Sequence, residues 1–517
     1  MRFQQLPSGR AAVFSPSGDF ALVDASELEV LQAGPRRLTD LPPARLADLY
    51  AKHLITGADQ RGMAELLRSR RAARRETIEV GVSLHILVPT LQCAHSCQYC
   101  QVSRALDSTG FEMTPDMLDA ACDAVFESPS QVLTVEFQGG DPLIRFDLVQ
   151  RAIERITRRN RIEGRRIQFV VASTLHQLNV KMCEFFSEHA VVLSTSIDGP
   201  PALHNKNRPI PGRDAYERTV AGIAMARKHI HPGCVSALMT TTKASLAMPE
   251  AIIDEYVRLG FDEVFVRPLA NHGFAMRNAA QLGHALESFF GFYTRCLDRV
   301  LWWNQQGVAL REAAAAAWLN KLLSPFDSGY VDLQSPTGAG SAVLVYNYDG
   351  FVYPSDEARM LAETGNASLR LGRIGEPLRK LEASEVVQHL RAQSDGEART
   401  ECANCPYHTS CGPDPVEALA CGSSVTVHES GHCRRSTWMF RHFLDRVDRA
   451  ETDGDEDFLD LAYAWARREH PKRANRTKPV AASLSLPQRQ PDSGMRQGLK
   501  TSQFKGITVC WSDEAEN

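Results

Sequence analysis

The 517-residue sequence lacks the features that would place it in a membrane or on nucleic acid. No stretch approaches about 18 uninterrupted apolar residues, the length that a membrane-spanning helix requires, and the N-terminal segment has no apolar signal-peptide core. The formal net charge is only −4, so the chain has no general positive field to attract phosphates. We therefore expect a cytoplasmic protein that binds neither a membrane nor nucleic acid. The one dense basic run, residues 68–75, is predicted to be a solvated helix face or linker.

Cysteine, in contrast, is plentiful, with thirteen residues. In a reducing compartment cysteines favour metal or cluster ligation over disulfides. Seven of them form two sets, Cys93, Cys97 and Cys100 in the first and Cys402, Cys405, Cys411 and Cys433 in the second. Four others stand singly in apolar segments and are predicted to be core residues: Cys122, Cys183, Cys234 and Cys296.

The first set is the loop Cys93-Ala-His-Ser-Cys97-Gln-Tyr-Cys100. This spacing can wrap three sulfurs around one face of a [4Fe-4S] cluster and leave the fourth iron without a protein ligand. Structural zinc needs a fourth ligand, which does not follow nearby, and disulfide frameworks are typical of small secreted domains. The spacing, with an aromatic residue before the last cysteine, resembles the radical S-adenosylmethionine (SAM) superfamily. The resemblance implies that Cys93, Cys97 and Cys100 are catalytic and that the open iron chelates the amino and carboxylate groups of SAM.

From about residue 78, strand and helix patterns alternate, which favours a parallel α/β architecture. Six β/α units predict a partial (β/α)6 TIM-like barrel, in which the loops after the strands carry the ligands. The predicted strands are Ile78 to Val88, Val132 to Phe137, Ile167 to Ala172, Ala190 to Ile197, Cys234 to Thr241 and Glu263 to Pro268.

Three strand ends carry further motifs of the same family. Gly139-Gly140-Asp141 resembles the Gly-Gly-Glu motif, which implies contacts to the SAM amino group through a carboxylate one methylene shorter than usual. The segment from Ser196 to Arg208 resembles the Ser-x-Asp-Gly-Pro-x3-His-x3-Arg pattern of radical SAM peptide maturases. It implies that Ser196 contacts SAM oxygens and that an arginine, Arg208 or Arg218, binds the SAM carboxylate. After the sixth strand, Arg-Pro-Leu and Gly-Phe-Ala elements resemble those of peptide maturases and imply that Leu269 lies beside the adenosyl group. His272 is expected to be an exposed loop histidine without a function, and a side chain that faces substrate is the alternative.

Residues 1–76 read as a hairpin followed by helices, an α+β domain. This order of elements is similar to the winged-helix peptide-recognition elements of enzymes that modify ribosomally made peptides. There a leader peptide can add a strand to a sheet edge. A plain structural extension is the alternative.

The second cysteine set is Cys402-x2-Cys405-x5-Cys411 with the distant Cys433, and it follows a predicted hairpin around Asp349-Gly350. Both features resemble the SPASM domain of peptide-modifying radical SAM enzymes, which implies one fully cysteine-ligated auxiliary [4Fe-4S] cluster. A four-cysteine zinc site is the alternative. The inner auxiliary cluster of that family is not expected, because its cysteine positions hold Thr337, Ser355 and Pro415. Cys421 is left as a spare thiol or an irregular ligand.

These features predict an N-terminal domain (1–76), a radical SAM core (77–305), a SPASM-like domain with a helical linker (306–450), a C-terminal helix (451–470) and a disordered tail (471–517). The chain resembles the maturase of the His-Xaa-Ser peptide system. That resemblance implies intramolecular crosslinking of a ribosomally synthesised precursor peptide, an electron donor such as flavodoxin or ferredoxin, and a second radical SAM maturase as a partner. The alternatives are a sulfatase-type maturase that makes formylglycine and a non-catalytic iron-sulfur or zinc protein that binds peptides or senses redox state.

Overall fold

The computed structural model describes residues 2–56, 60–105, 109–326, 333–422, 431–467, 469, 499–504 and 507–512. The chain divides into two compact units, one made of residues 1–79, 315–338 and 389–469 and the other of residues 80–314, 339–388 and 470–517. This partition differs from the predicted domains, because the N-terminal segment and the cysteine-rich segment share a unit. No helix in the described ranges combines the length and the apolar character needed to cross a membrane.

The N-terminal segment is a three-stranded antiparallel sheet followed by helices. The sheet order is β1-β2-β3, and side chains of β2 and β3 pack with the helices around a core that includes Val13, Val23, Leu28 and Leu49. Asp24 and Glu27 form a capping box that begins the first helix. The elements are β1 (Arg2–Gln5), β2 (Ala11–Phe14), β3 (Phe20–Val23), α1 (Ala25–Ala33), α2 (Pro43–Ala51) and α3 (Gln60–Glu79).

The second unit contains the predicted six-stranded parallel array, in the order β10-β8-β7-β6-β5-β4. The first strand begins six residues later than predicted, because residues 78 and 79 end helix α3. Its central position explains why all seven of its residues are buried. The elements are β4 (Leu84–Thr90), α4 (Pro115–Val125), β5 (Val132–Gly139), α5 (Phe146–Glu163), β6 (Arg166–Ala172), α6 (Val180–Glu188), β7 (Val192–Ser196), α7 (Pro201–Asn207), α8 (Ala215–His229), β8 (Val235–Thr240), α9 (Pro249–Arg258), β9 (Glu263–Val264) and β10 (Val266–Arg267).

The predicted hairpin around Asp349-Gly350 continues this sheet and does not form a separate layer. Its first strand pairs parallel with β4, in a register that places Val343 opposite Leu84, and two antiparallel strands follow. The apolar side chains of this strand are therefore buried in the core unit. The elements after β10 are α10 (Gly273–Arg277), α11 (Ala279–Leu282), α12 (Leu286–Gln305), β11 (Arg311–Glu312), α13 (Ala313–Leu323), β12 (Val343–Tyr346), β13 (Phe351–Tyr353), α14 (Asp356–Glu363), β14 (Gly372–Arg373), α15 (Leu378–Glu382) and α16 (Glu385–Ser394).

The remaining elements are α17 (Pro415–Ala420), α18 (Gly431–Asp453), α19 (Glu456–Ala466), β15 (Leu499–Phe504) and β16 (Ile507–Ser512). The last two strands pair antiparallel, so the structure departs there from the predicted disorder of residues 471–517. The rest of that predicted tail lies outside the described residues.

The basic run of helix α3 is solvated in part, as predicted, since Arg68 and Arg71 are exposed, but its end packs against the protein. Arg75 forms an ion pair with Asp395 at 3.0 Å. Arg74 is buried and donates from Nη1 to Ser410 Oγ at 3.1 Å. The arginines of this helix therefore bind the segment that carries the second cysteine set, within the first unit.

Tyr407, between two cysteines of that set, fastens the same segment to the N-terminal sheet. Its ring stacks on Phe440 at 4.5 Å and meets Phe14 of β2 edge-on at 5.4 Å. Its hydroxyl donates to Gln4 Oε1 of β1 at 3.2 Å, and the side chain is buried. The N-terminal sheet is thus part of the structure that holds the cysteine-rich segment.

Replacing Tyr407 with leucine should lower the free energy of unfolding of the first unit by about 2–4 kcal/mol, because two aromatic contacts and one hydrogen bond are lost. Thermal unfolding of the metal-free protein measures this loss. Tyr463→Leu is the matched control, since Tyr463 is 44% exposed and its replacement should change stability by less than about 0.5 kcal/mol. Equal melting temperatures for the two variants would show that Tyr407 does not fasten the segment.

Candidate active site

The first cysteine loop lies at the carboxyl end of β4 and is fastened by its backbone to loops that follow other strands. Ser96 N–H donates to the carbonyl of Pro209 at 2.8 Å. Phe274 N–H donates to the carbonyl of Cys100 at 2.8 Å, and a Cβ on the preceding Gly273 would overlap that same carbonyl. The structure therefore surrounds the three thiols with strand ends, as the barrel interpretation predicts.

A buried polar cluster fixes the loop from within. Tyr99 donates its hydroxyl proton to the carboxylate of Asp198, whose two oxygens lie 2.8 and 2.7 Å away. Arg208 pairs with the same carboxylate, from Nε to Oδ2, at 3.2 Å, and its guanidinium lies 5.2 Å from the centre of the Tyr99 ring. Asp198 is fully buried. The cluster thus joins the cysteine loop to the segment that follows β7.

The ion pair with Asp198 gives Arg208 a role other than the predicted contact to the SAM carboxylate. The second candidate, Arg218, lies on α8 and is half exposed. It pairs with Asp214 at 2.9 Å, and its Nη1 lies 3.2 Å from His176 Nε2. A SAM contact through either arginine stays a prediction, and the greater exposure of Arg218 makes it the more accessible cation.

Gly139 and Gly140 let the end of β5 approach the backbone that leads into the cysteine loop. A Cβ on Gly139 would overlap the carbonyl oxygen of Thr90, and one on Gly140 would overlap those of Leu91 and Gln92. The amide of Gly140 donates to Thr90 O at 2.9 Å. The two glycines therefore permit a close approach of one backbone segment to another.

The carboxylate of Asp141 is buried and engaged by the loop after β6. Its Oδ1 accepts from Ser173 Oγ at 2.7 Å and from Leu143 N at 3.2 Å, and its Oδ2 accepts from Thr174 Oγ1 at 2.5 Å and Thr174 N at 3.3 Å. Four donors fill the positions at which a carboxylate accepts. In this structure Asp141 therefore links two strand ends, and the predicted contact to the SAM ammonium group stays a prediction.

The remaining predicted contacts lie at the same end of the sheet. Ser196 ends β7 and is partly exposed. Leu269 follows β10 and packs against a cluster that includes Tyr99, so it lies beside the cysteine loop. His272 is buried at the start of α10, so the prediction of an exposed loop histidine is wrong.

Sequence reasoning missed a group of histidines around the cysteine loop. His95 is 1% exposed, and neither of its ring nitrogens has a hydrogen-bond partner among the described residues. Its ring meets that of His176 edge-on at 5.6 Å. Burial and the nearby Arg208 lower the pKa of His95 to about 3, so the ring is neutral. A histidine between two cysteines was the available signal, but nothing in the sequence placed His176 beside it.

Burial also raises the pKa values of two thiols of this loop. It raises the pKa of Cys97 to about 11, against the opposing effect of Arg208, and it raises the pKa of Cys93, with Asp141 adding to the effect. Thiols in such surroundings keep their protons until a metal displaces them. Three soft sulfur donors on one loop fit an iron-sulfur cluster.

The four cysteines of the second set are brought together in the first unit. Burial and the neighbouring thiols of the set raise the pKa of Cys402 to about 11 and that of Cys405 to about 12. Burial and the nearby Cys411 also raise the pKa of Cys433. The fold therefore brings Cys433 near Cys411, although the two residues are far apart in the sequence.

The spacing of these sulfurs bears on the choice between zinc and a cluster. Tetrahedral zinc would hold its sulfurs about 3.8 Å apart, given a zinc–sulfur distance of about 2.3 Å. Within the described ranges, one group of three His, Cys, Asp or Glu residues has ligand atoms within 4.8 Å of one another. Its members are Asp414, Glu417 and His432. No three cysteine sulfurs in those ranges are that close, and the choice between a cluster and zinc at the second set stays a prediction.

The positions that would hold an inner auxiliary cluster have other roles. Ser355 caps helix α14 by accepting from the amide of Ala358 at 3.2 Å. The amide of Thr337 donates to Ser394 Oγ at 3.0 Å, and Pro415 is the first residue of α17. Cys421 is exposed after the end of that helix, whereas the four cysteines predicted as core residues are buried.

Gly140→Ala should destabilise the second unit by at least about 1–3 kcal/mol, because the added methyl group meets two backbone carbonyls that cannot move separately from the cysteine loop. Iron content per chain and thermal unfolding measure the effect. The matched control is Gly291→Ala, where a Cβ meets nothing within 4 Å and the helix should gain about 1 kcal/mol. An unchanged melting temperature for Gly140→Ala would mean that the two backbones do not approach so closely.

Comparison with known proteins supports the same interpretation. Residues 87–256 match the family model of the radical SAM superfamily. The serine-type anaerobic sulfatase-maturating enzyme of Klebsiella aerogenes is 25% identical over 359 residues, which cover 66% of this chain and 82% of that enzyme. An uncharacterized protein of Methanothermobacter thermautotrophicus is 24% identical over 184 residues. The match covers 35% of this chain and 66% of that protein, just under two thirds of its length.

Two solved structures share the fold. Native anSMEcpe with bound AdoMet superposes with a TM-score of 0.60 at 16% identity, covering 71% of this chain and 99% of that one. Streptococcus suis SuiB bound to precursor peptide SuiA superposes with a TM-score of 0.51 at 11% identity, covering 84% of this chain and 98% of SuiB. The mostly parallel sheet, the cysteine loop at its carboxyl edge and the family match lead to one conclusion. Residues 87–256 form a radical SAM domain, in a chain related in sequence to anaerobic sulfatase-maturating enzymes.

Proposed function

We propose that this chain is a radical SAM maturase that crosslinks residues within a ribosomally synthesised precursor peptide. The observation that carries the proposal is the cysteine loop, with three partly buried cysteines held among strand ends by Tyr99, Asp198 and Arg208. A [4Fe-4S] cluster with bound SAM supplies, once reduced, a radical able to take a hydrogen atom from an unactivated carbon. The peptide as substrate is supported by the fold shared with SuiB, which was crystallised with a precursor peptide.

The chain's own residues bind, orient and exclude water. Cys93, Cys97 and Cys100 would hold three irons and leave the fourth for SAM. Asp198 and Asp141 keep the loop and the adjoining strand ends in place through buried hydrogen bonds. Ser196 at the end of β7 offers a hydroxyl, and Leu269 offers an apolar surface, to a ligand at this edge of the sheet.

A second cluster, the one auxiliary cluster of the chain, is proposed at Cys402, Cys405, Cys411 and Cys433. Its support is the assembly of the four cysteines in the first unit, where Cys411 and Cys433 neighbour Cys402. Crosslinking removes two hydrogen atoms from the peptide, so one electron must leave the substrate after the first hydrogen atom is taken. An auxiliary cluster is a suitable acceptor for that electron. A further radical SAM maturase and a flavodoxin or ferredoxin are the proposed partners.

A formylglycine-generating activity is the second candidate, because the relative from Klebsiella aerogenes carries the name of a sulfatase-maturating enzyme. The two functions differ in their products. A crosslink interrupts the fragment ladder of the peptide in tandem mass spectrometry, whereas formylglycine leaves the ladder intact and its aldehyde reacts with hydrazines.

The test begins with anaerobic reconstitution of the full chain with iron and sulfide. We expect 5′-deoxyadenosine to form from SAM under reducing conditions. We then expect a small peptide encoded beside this chain, when co-expressed with it, to lose two hydrogen atoms and gain an interrupted fragment ladder. Absence of SAM cleavage would overturn the enzymatic function, and a hydrazine-reactive product from a sulfatase-derived peptide would replace crosslinking with formylglycine formation.

A further inference from the structure

Helix α10 lies directly on the first cysteine loop, within the second unit. The amide of Phe274, in its first turn, donates to the carbonyl of Cys100 at 2.8 Å. Asn278, which follows the helix, donates from Nδ2 to the carbonyl of Gln98 at 2.7 Å. The helix is therefore fastened to the loop at both of its ends, and the two form one continuous piece of surface.

The outward side of this piece is open to solvent. Met276 is 47% exposed, and Arg277 beside it is exposed as well. Gln98, which follows Cys97 in the loop, is also exposed. Methionine is flexible and polarizable, and it is common on surfaces that bind partner proteins. The exposed surface thus comes within one residue of a predicted cluster ligand.

Two guanidinium groups flank the aromatic ring of the helix. The Cζ atoms of Arg104 and Arg277 lie 5.6 and 5.5 Å from the centre of the Phe274 ring. Such cation–π contacts hold the charges in place without neutralising them. Neither arginine forms an ion pair with a carboxylate of the described residues. We call the surface made by Gln98, Arg104, Phe274, Met276 and Arg277 the α10 surface.

The position and charge of the α10 surface fit an electron carrier. Reductive cleavage of SAM consumes an electron, and the rate of electron transfer falls steeply with distance, which favours entry at the surface nearest to the cysteine loop. Redox proteins associate through small interfaces, of less than about 1,200 Å². Interface centres are enriched in methionine, arginine and aromatic residues. The whole chain has a formal net charge of −4, so the attraction of an acidic carrier has to come from a local group of cations.

We propose that the α10 surface docks a small acidic electron-transfer protein that reduces the cluster held by Cys93, Cys97 and Cys100. The inference deepens the proposed function and rests on it. With a flavodoxin as the carrier, the anionic flavin hydroquinone is oxidised to the neutral semiquinone, and its electron reduces the [4Fe-4S] cluster. No bond forms or breaks and no proton moves. Arg104 and Arg277 pair with carboxylates of the carrier, and Met276 contacts its apolar centre.

The test mixes the reconstituted full chain with reduced flavodoxin and follows the clusters by rapid freezing and electron paramagnetic resonance. Addition of SAM identifies the signal of the cluster that binds it. The double substitution Arg104→Glu with Arg277→Glu should lower the second-order rate constant by about 10- to 100-fold at low ionic strength, because acidic surfaces then face each other. The difference should shrink at about 0.5 M salt, where surface charges are screened.

The matched control is Arg158→Glu with Arg161→Glu. Both arginines are exposed on α5, and the pair changes the net charge by the same amount as the test pair. The control should keep the rate constant within about twofold of the wild-type value, because its charges lie outside the docking surface.

Arg277→Glu alone keeps the test decisive if the double variant does not fold, since Arg277 is exposed whereas Arg104 is partly buried. It should lower the rate constant by about threefold to tenfold. Titration of oxidised flavodoxin with each variant, followed by flavin fluorescence, measures binding without electron transfer. Binding should weaken in the same order as the rate constants.

Dithionite separates failure of this inference from failure of the proposed function. If the wild type reduced by dithionite forms no 5′-deoxyadenosine, the proposed function is overturned and this inference with it. If dithionite supports the reaction but neither flavodoxin nor a ferredoxin reduces the cluster, this inference alone is overturned. Equal rate constants for the α10 variants and the control pair would also overturn it. Unchanged reduction with weaker binding of the precursor peptide would assign the α10 surface to the substrate and overturn it likewise.

Discussion

Cys97→Ala should abolish formation of 5′-deoxyadenosine while leaving the auxiliary cluster in place. The loop would retain only two thiols, too few to hold three irons of a [4Fe-4S] cluster and leave one iron for SAM. The second cysteine set belongs to the other compact unit and should keep its own iron. Iron analysis, visible absorption and chromatography of the SAM cleavage products measure the three quantities.

Cys122→Ala is the matched control for this prediction. Cys122 is a buried thiol on α4 and belongs to neither set, so its replacement should leave SAM cleavage and iron content unchanged. SAM cleavage by Cys97→Ala at the wild-type rate would contradict the assignment of the loop and the proposed enzymatic function.

Asp198→Asn should destabilise the second unit by about 3–5 kcal/mol, because a buried guanidinium would lose its charged partner. Asp198 is fully buried and Arg208 is nearly so, so solvent screens their interaction little. The amide could still accept the Tyr99 hydroxyl but could not balance the charge of Arg208. We expect a lower melting temperature for the metal-free protein, and reduced iron occupancy and SAM cleavage after reconstitution.

Glu250→Gln provides the control for Asp198→Asn. Glu250 pairs with Arg295 at 2.8 Å, but both side chains are about half exposed, at 44% and 55%. Loss of an exposed pair should cost less than about 1 kcal/mol and leave cluster binding intact. Equal effects of the two substitutions would show that the Asp198 cluster does not hold the cysteine loop.

The parts of the fold that sequence reasoning predicted well are those set by local patterns. The six parallel strands follow from apolar runs separated by amphipathic helices, and five of the six lie within about two residues of the predicted bounds. The first strand was placed too early because Ile78 is apolar and buried, although it belongs to the end of helix α3. A short apolar run cannot by itself distinguish a helix end from a strand start.

The contacts of the candidate site were less accessible to sequence reasoning. Asp141 was assigned to SAM because its motif resembles Gly-Gly-Glu, but its partners, Ser173 and Thr174, are more than thirty residues further along the chain. Arg208 was chosen for its fork of donors, and only the fold placed Asp198 beside it. Such pairings depend on which strand ends are neighbours, and that order is a property of the sheet.

The sequence by itself determined the spacing of the three cysteines in the loop, the position of the loop after a strand and the alternation of strands and helices in the domain that carries it. These are local properties, since thiol spacing and hydrophobic periodicity are written into neighbouring residues. Only the tertiary structure decided that Tyr99, Asp198 and Arg208 form the buried cluster that holds this loop. It also decided that the hairpin after residue 339 extends the core sheet. Finally, it placed arginines of α3 against the segment that carries the second cysteine set. Each of these joins residues distant along the chain, and burial makes such contacts favourable only after the intervening segments have folded.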